Sequence, residues 1–448
     1  MKKVNENHLA NNNQVTLLFN DHINQNTIHL HVETINQLNI NSEKIVLHFG
    51  AFTKELSIIQ NETIEPGKIS LSSKLTNVLS IPDLPYDYYL MSNHLYLGPV
   101  IGFLVRLKYY RNPQQQLLRF KNYHQINGLI FLFMQSTMNK SDKTIEGYYY
   151  DPKAKSFVQG VFPYPSSIFN RTEMKKSTYR YWIENIGENL FNYPYDYSNK
   201  WTFWVKLHKH QDIRKHLPET VAYKQIDHVI QMLNKYDDVY LKPTKLYSGK
   251  GIFHLKKGKE GYLLTDNKGN KIVISSIEKL EIILQEKMVK TQKYIVQQAI
   301  RYDYTGNKVD FRIYLQKDTT KKWKYTAMET KVAEKGSIIS SSTNRIKMIP
   351  GEKALVELFK LNGEKTQQKV QEITQLCMNA LKQLENNQNH FGDAAIDFVI
   401  DHNHHVWLLE VNFHYAAEIK ANRTADEQQV LPSILPTPFE YAKALAGF

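Results

Sequence analysis

The 448-residue chain has a single cysteine, Cys377. One thiol excludes a disulfide framework and a cysteine zinc site, and it fits a reducing compartment. Long apolar runs are also missing. The strongest, near Leu97 to Val105, falls far short of the roughly 18 residues a membrane span needs. The opening MKKVNENHLANNN carries two lysines with no apolar stretch after them, so it does not read as a signal peptide. Zinc-finger spacing and aromatic RNA-binding motifs are absent. No P-loop occurs: the glycine and lysine spacing near Gly249 is wrong, and a strand rather than a helix is expected after it.

What remains is a chain with 42% hydrophobic and 12% aromatic residues, enough for real cores and two to three domains. The formal net charge is +13, which favours anionic partners. The lysines are spread along the chain, so a basic soluble surface explains the charge better than a nucleic-acid site does.

Chemistry concentrates in Ala394 to Asn412, AAIDFVIDHNHHVWLLEVN. It reads as two strands around a four-residue loop, His402 to His405. That register sets Val399 opposite Leu408 and Asp397 opposite Glu410. Side chains alternate along a strand, so Asn412 shares their face. Facing carboxylates repel. A cation would relieve them, and oxygen ligands of this kind suit Mg²⁺. Taken alone, the hairpin reads first as an ordinary edge pair with two solvated acids. The histidines of the loop read as a solvated turn or a metal site.

Two other stretches bear on that choice. In Val239-Tyr-Leu-Lys-Pro-Thr-Lys-Leu-Tyr-Ser-Gly-Lys-Gly-Ile252, an apolar strand delivers Lys242 into a polar loop, and a new strand begins at Ile252. A lysine there is a compact cation for phosphate. Ser248, Gly249 and Gly251 fall in the loop, whose glycines let backbone N–H groups approach a ligand closely. In Lys293 to Leu315, an apolar strand ends at Gln297 and Gln298. Asp310 and Arg312 then alternate on one face of the next strand. These suit a ribose hydroxyl and a phosphate, or form a surface ion pair.

The order Lys-Pro…Gly-Lys-Gly-Ile, Val-Gln-Gln-x-Ile, Asp-Phe-Arg and Asp…Glu-x-Asn resembles the ATP-grasp fold. The step from Asp397 to Glu410 (410 − 397 = 13) is similar to its metal signature. Leu97-Gly-Pro-Val-Ile-Gly102, Phe162-Pro-Tyr-Pro, Phe169-Asn-Arg171, Lys200-Trp201, Leu217-Pro-Glu-Thr220 and Tyr240-Leu-Lys-Pro243 narrow the resemblance to the YheC/YheD endospore coat-associated proteins, from about Leu95 to Asn412.

The resemblance implies an α+β / α/β architecture: two α+β subdomains clasping ATP over 196–448. An α/β domain over 96–195 and a small β domain over 1–95 come first. It implies ATP and Mg²⁺ as cofactors and a carboxylate acceptor. Lys200 and Lys242 hold phosphates, with the loop at Ser248, Gly249 and Gly251. The backbone from Gln297 through Gln298 to Ile300 meets adenine, Asp310 the ribose. Asp397, Glu410 and Asn412 hold the metal. Arg312, with Lys331 or Arg345, contacts the γ-phosphate or the acceptor. Asn170 and Arg171 lie near the site or form a structural loop.

The implied activity is a ligase working through an acylphosphate. The alternative is a non-catalytic spore-coat protein using the fold for binding. A third reading is a polyanion binder. The implied location is the mother-cell cytoplasm or the spore coat. Departures from the family pattern fall at Lys331, where arginine is usual, and at Ser340 to Arg345, which lacks a Gly-Gly pair. Leu246 and Tyr247 replace smaller residues, so Tyr247 is a candidate cover for the site.

Periodicity predicts further elements. Strands are expected at Val15–Phe19, Thr27–Val32, Lys44–His48, Lys68–Ser72, Val100–Leu107, Gly128–Met134 and Trp323–Ala333. Helices are expected over Asn112–Asn127, Val221–Lys235, Ser276–Gln285 and Lys365–Glu385, with a short one in the tail from Pro432. Cys377 lies on the apolar stripe of the 365–385 helix, a core position. Asn192 to Lys200 reads as a linker.

Overall fold

The computed structural model describes residues 13–448 except 78, 194–198, 302, 305, 342–343, 386–388 and 422–424. The expected linker over 192–200 lies largely outside the described residues, as does the N-terminal lysine pair. The chain divides into two compact units. The first comprises Met1–Tyr193, Lys317–Lys322 and Leu435–Phe448; the second comprises Pro194–Gln316 and Trp323–Ile434.

In the first unit, seven strands close into a barrel, in the order Asn13–Asn20, Lys68–Ser72, Thr27–Leu30, Phe52–Gln60, Lys44–Phe49, His94–Gly98 and Tyr86–Met91. Alternation drives the closure. Ile45, Leu47 and Phe49 are buried while Lys44 is exposed, as a strand with one face inward requires. All four strands expected in this stretch are present. The second ends at Leu30, because His31 caps a helix over Val32–Gln37 by accepting from Glu33 N.

A seven-stranded sheet follows. Val100–Leu104 pairs in parallel with Leu129–Phe133 and with Ser167–Asn170. All three strands are wholly buried, the mark of a sheet covered on both faces. The connection from Val100–Leu104 to Leu129–Phe133 is not the single helix expected over 112–127. Pro113–Phe120 forms a 3₁₀ helix and Tyr123–Ile126 a separate turn. Asn122 breaks the run with φ −104 and ψ 26. The expected strand to Leu107 stops at Leu104, and Leu107–Arg111 is helical. The tail helix, Thr437–Leu445, belongs to this first unit rather than with 196–434: Phe439, Tyr441 and Ala442 sit in its core.

The second unit contains two antiparallel sheets. One runs Thr220–Ala222, Tyr294–Gln298, Asp238–Pro243, Phe253–Gly258, Gly261–Asp266, Lys271–Ile274. Its apolar face, with Val239, Leu241, Leu255 and Val296, packs on Ile226–Tyr236 and Ile277–Lys287; the second lies close to the expected helix, whereas the first starts later than expected because Val221 and Ala222 belong to a strand paired with Ile295 and Val296. The strand after the Lys242 loop begins at Phe253, one residue later than expected.

The other sheet runs Arg345–Pro350, Trp323–Lys335, Asn307–Lys317, Asp393–Ile400, Val406–Asn412. The helix Gly363–Leu384 covers it with Ile373, Cys377, Leu381 and Leu384. Burial pushes the Cys377 thiol pKa up, so this cysteine is an inert core residue.

Candidate functional site

The site is assembled from the polar faces of the second unit's two sheets. In Asn307–Lys317, Val309, Phe311, Ile313 and Leu315 point into the core. Period-two alternation therefore puts Lys308, Asp310 and Arg312 together on the opposite face. The neighbouring hairpin sets Asp397 opposite Glu410, as expected, with Ala395 opposite Asn412. Nearer the turn the expectation fails: Val399 faces Trp407, not Leu408. A bulge between Asp397 and Phe398 absorbs one residue, Leu409, and such an insertion re-aims side chains locally.

The carboxylates on this face are compensated by side chains. Arg312 grips Asp397 in a two-pronged contact, Nε to Oδ1 at 2.5 Å and an η-nitrogen to Oδ2 at 2.7 Å. Asn412 donates to Asp397 Oδ2 at 3.3 Å. Burial works against the charged carboxylate. The cations Arg312 and Lys331 overcome it and hold the Asp397 pKa well below the ordinary value. Burial likewise opposes the Arg312 charge, and Asp397 more than restores it. Glu410 pairs with Lys200 at 2.9 Å.

Lys200 opens the helix Lys200–Leu207, whose Asn199 cap accepts from Thr202 N. Its ammonium also donates to Leu246 O at 3.1 Å, tying the helix to the glycine loop. In that loop Ser248, Gly249 and Gly251 have φ of 58, 73 and 69, a region that favours glycine. A Cβ on Gly249 would come within 2.6 Å of Ile339. Tyr247 is 63% exposed.

Lys242 stands on the other sheet, and among the described residues no carboxylate is in hydrogen-bond contact with it. It donates to the Gln297 side-chain oxygen at 2.7 Å, and the Gln297 amide donates onward to Thr220. Burial first, then the cations Lys308 and Lys200, pull its pKa down to about 7. Lys308 lies 4.8 Å and Lys242 5.1 Å from the centre of the Tyr240 ring, and Lys308 donates to Ile338 O at 2.6 Å. Lys308 was missed in the sequence, although its two-residue spacing from Asp310 and four-residue spacing from Arg312 was visible there.

The remaining expected residues fall as follows. Asp310 accepts from the Ser340 hydroxyl. The N–H of Gln298 is bonded to Glu219 O and that of Ala299 to Asp238 O, so this stretch is engaged in its own sheet as far as Ala299, and Ile300 lies just beyond. Lys331 pairs with Glu329 at 3.1 Å and Arg345 with Glu427 at 2.9 Å. Asn170 and Arg171 are buried in the first unit, and the Asn170 amide donates to Thr172 O and Asn192 O. His405 stacks on His216 at 4.5 Å. Among the described residues no three His, Cys, Asp or Glu are grouped to hold a metal.

Residues 187–445 match the family described as YheC/D like ATP-grasp. The chain belongs to this family. It has the ATP-grasp fold. The endospore coat-associated protein YheD of Bacillus subtilis (strain 168) is 24% identical over 367 residues, spanning 77% of this chain and 79% of that protein. YheC of the same organism is 20% identical over 303 residues, 64% of this chain and 76% of that protein. Among solved structures, the ATP-grasp ligase PsnB complexed with a phosphomimetic variant of minimal precursor, Mg and ADP has 11% identity and a TM-score of 0.44, covering 77% of this chain and 98% of that one. D-alanyl-alanine synthetase A from Vibrio cholerae O1 biovar eltor str. N16961 has 11% identity and a TM-score of 0.42, covering 75% and 98%. No described helix is long and apolar enough to cross a membrane.

Proposed function

We propose that this chain binds Mg-ATP at the Lys200, Lys242, Asp397 and Glu410 face and acts as a carboxylate-activating ligase. The observation that carries the reading is the convergence of three lysines, Lys200, Lys242 and Lys308, beside an oxygen-donor set of Asp397, Glu410 and Asn412. The donor chemistry fits a small hard cation, and the lysines fit phosphate oxygens. Lys200, Lys242 and Lys308 would hold the phosphates and Asp310 the ribose. Ile300 and the chain beyond the last sheet-bonded N–H would meet the base. Bound Mg-ATP would supply a phosphoryl group that a carboxylate can take, leaving an acylphosphate open to an amine.

The chain's own part is positioning and charge neutralisation. Arg312 and Lys200 are the internal counter-ions of Asp397 and Glu410. Asp397 and Glu410 would hold the metal, which would supply charge neutralisation at the phosphates, and Arg312 and Lys200 would then be free to contact phosphate. Lys331 and Arg345 would contact the acceptor.

Calorimetric titration of ATP with and without Mg²⁺, beside a Glu410→Ala variant, tests this. Mg-dependent binding that is lost in the variant supports it. Absence of binding by the wild type overturns it and favours a coat protein using the fold as a scaffold. That second reading draws on the names of the two Bacillus relatives and on Lys331 in place of arginine.

A further inference from the structure

The loop with Gly249 and Gly251 follows one end of the strand Asp238–Pro243. A nucleotide with its phosphates at Lys242 and that loop therefore has its nucleoside toward the other end. Val239 and Leu241 face the core. Alternation puts Asp238 and Tyr240 on the face that carries Lys242. His254 and Gln297 flank Tyr240 on the two neighbouring strands. Lys308, from the other sheet, lies 4.8 Å from the centre of the Tyr240 ring, so this face looks into the cleft between the sheets. Four residues at about 3.4 Å each set Asp238 about 14 Å along the strand from Lys242. That is the reach of a nucleoside diphosphate from its phosphates to the far edge of its base.

Most polar groups on this face are already engaged. The Gln297 side chain accepts from Lys242 and donates to Thr220. The Tyr240 hydroxyl accepts from Lys308 at 3.5 Å. The N–H of Ala299 donates to the Asp238 carbonyl at 3.3 Å, and that of Gln298 to Glu219 O. Gln298 pairs with Val239 and shares its core-facing side. The Asp238 carboxylate is the exception. Its Oδ2 lies 3.4 Å from His254 Nε2, its side chain is 14% exposed, and among the described residues its Oδ1 has no partner. Lys256 stands opposite in the register, but it is exposed and forms no ion pair with Asp238 among the described residues. One oxygen of a half-buried carboxylate is thus left as a strong acceptor at the base end of the cleft.

We propose that Asp238 selects the nucleobase: its carboxylate accepts from the 6-amino group of adenine and repels the 6-oxo group of hypoxanthine or guanine. This deepens the Mg-ATP reading and rests on it for the place of the phosphates. Adenine carries an amino donor at that position and guanine a carbonyl acceptor. An ionised carboxylate only accepts, so the wrong purine meets it oxygen to oxygen. A polar group left unanswered in this way is what makes a site reject the near-identical ligand. His254, its ring 4.8 Å from that of Tyr240, positions the carboxylate. Asp238 carried no signal in the sequence, where Tyr-Asp-Asp-Val reads as the polar start of a strand.

The test is calorimetric titration of the full chain, with Mg²⁺ present, by ADP and by inosine diphosphate. The two ligands differ only at the 6-position and in the N1 proton that goes with it. Wild type is expected to bind ADP at least about tenfold more tightly. Asp238→Asn presents an amide that can donate or accept, so the preference should fall to about threefold or less. Asp238→Ala should lose it equally, and replaces the Asn variant if that one fails to fold by circular dichroism. The ratio is the readout, because a structural role for Asp238 would weaken both ligands alike. A wild-type preference below about tenfold, or one that survives in the variants, overturns the proposal and leaves the nucleotide site standing. Binding of neither ligand by the wild type overturns it together with the Mg-ATP reading.

Discussion

Lys242 and Arg312 stand on different sheets of the second unit, and they are held in opposite ways. Arg312 is clamped by a carboxylate through two contacts, and its charge is reinforced. Lys242 is held by a neutral amide, and its charge is undermined by burial and by other lysines. One side is internally neutralised and must exchange partners to bind anything. On the other, cations outweigh the more weakly acting Glu410 and Asp310, and an anion would relieve the excess. A site needing both a metal and a polyphosphate requires both conditions, and a uniform distribution of the same charges would provide neither.

The largest effect should come from breaking the neutralised side. Asp397→Ala strands the Arg312 guanidinium, and removing one partner of a buried pair costs about 3–5 kcal/mol. Urea denaturation should show this, with an Asp397→Leu, Arg312→Met double variant recovering more than half of the loss. If the double variant is as unstable as the single, the pair is not what the charge balance requires.

Next is the loop linking the two sides. Gly249→Ala introduces a Cβ against Ile339 at a positive φ. It should cost about 1–2 kcal/mol and weaken Mg-ATP binding, whereas Gly269→Ala, whose Cβ meets nothing within 4 Å, should leave that binding at the wild-type value. Equal loss of binding in both would separate the loop from the site.

The two sides should also titrate at opposite ends of the pH scale. The folded pKa of Lys242, about 7, lies below that of an unfolded lysine, near 10.4. Between these values the unfolded chain binds more protons, so stability rises with pH, by at most about 1.4 kcal/mol per unit from this group. Lys242→Met should flatten that slope. Phosphate binding should restore the lysine's charge, so calorimetry near pH 8 in buffers of different ionisation enthalpy should record proton uptake with Mg-ATP. The Asp397 carboxyl is depressed in the fold. Its contribution is present above the ordinary carboxyl value near 3.9 and is lost as pH falls below it.

The smallest stability effect belongs to Lys200→Met. Its pair with Glu410 is partly exposed, with side-chain accessibilities of 14% and 26%, and such pairs contribute about 1 kcal/mol or less. Mg-ATP affinity should nevertheless fall at least about tenfold. Loss of stability without loss of affinity would make this lysine purely structural.

Much of this arrangement was legible in the sequence because it follows period-two alternation. The Asp397–Glu410 pairing, the face shared by Asp310 and Arg312, and the strand before Lys242 all come from that rule. Alternation does not report which charge pairs with which. That Arg312 grips Asp397 depends on strands distant in sequence becoming neighbours, Arg312 opposite Asp397. The bulge at Leu409 was hidden because one absorbed residue leaves the pattern of apolar residues intact. The broken connection over 112–127 was missed because a polar stretch shows no period to tell a helix from 3₁₀ turns.

The chain's path through the first unit has a consequence for synthesis. Leu435–Phe448 returns to that unit after the whole second unit has been made. Phe439 and Tyr441 enter its core, and Lys443 reaches Asp87 at 2.5 Å. Domains generally fold as their residues leave the ribosome, N-terminal first. Here the first unit to emerge is the last to be completed. A chain cut before Leu435 would keep every residue of the second unit and lose the helix that fills the core of the first.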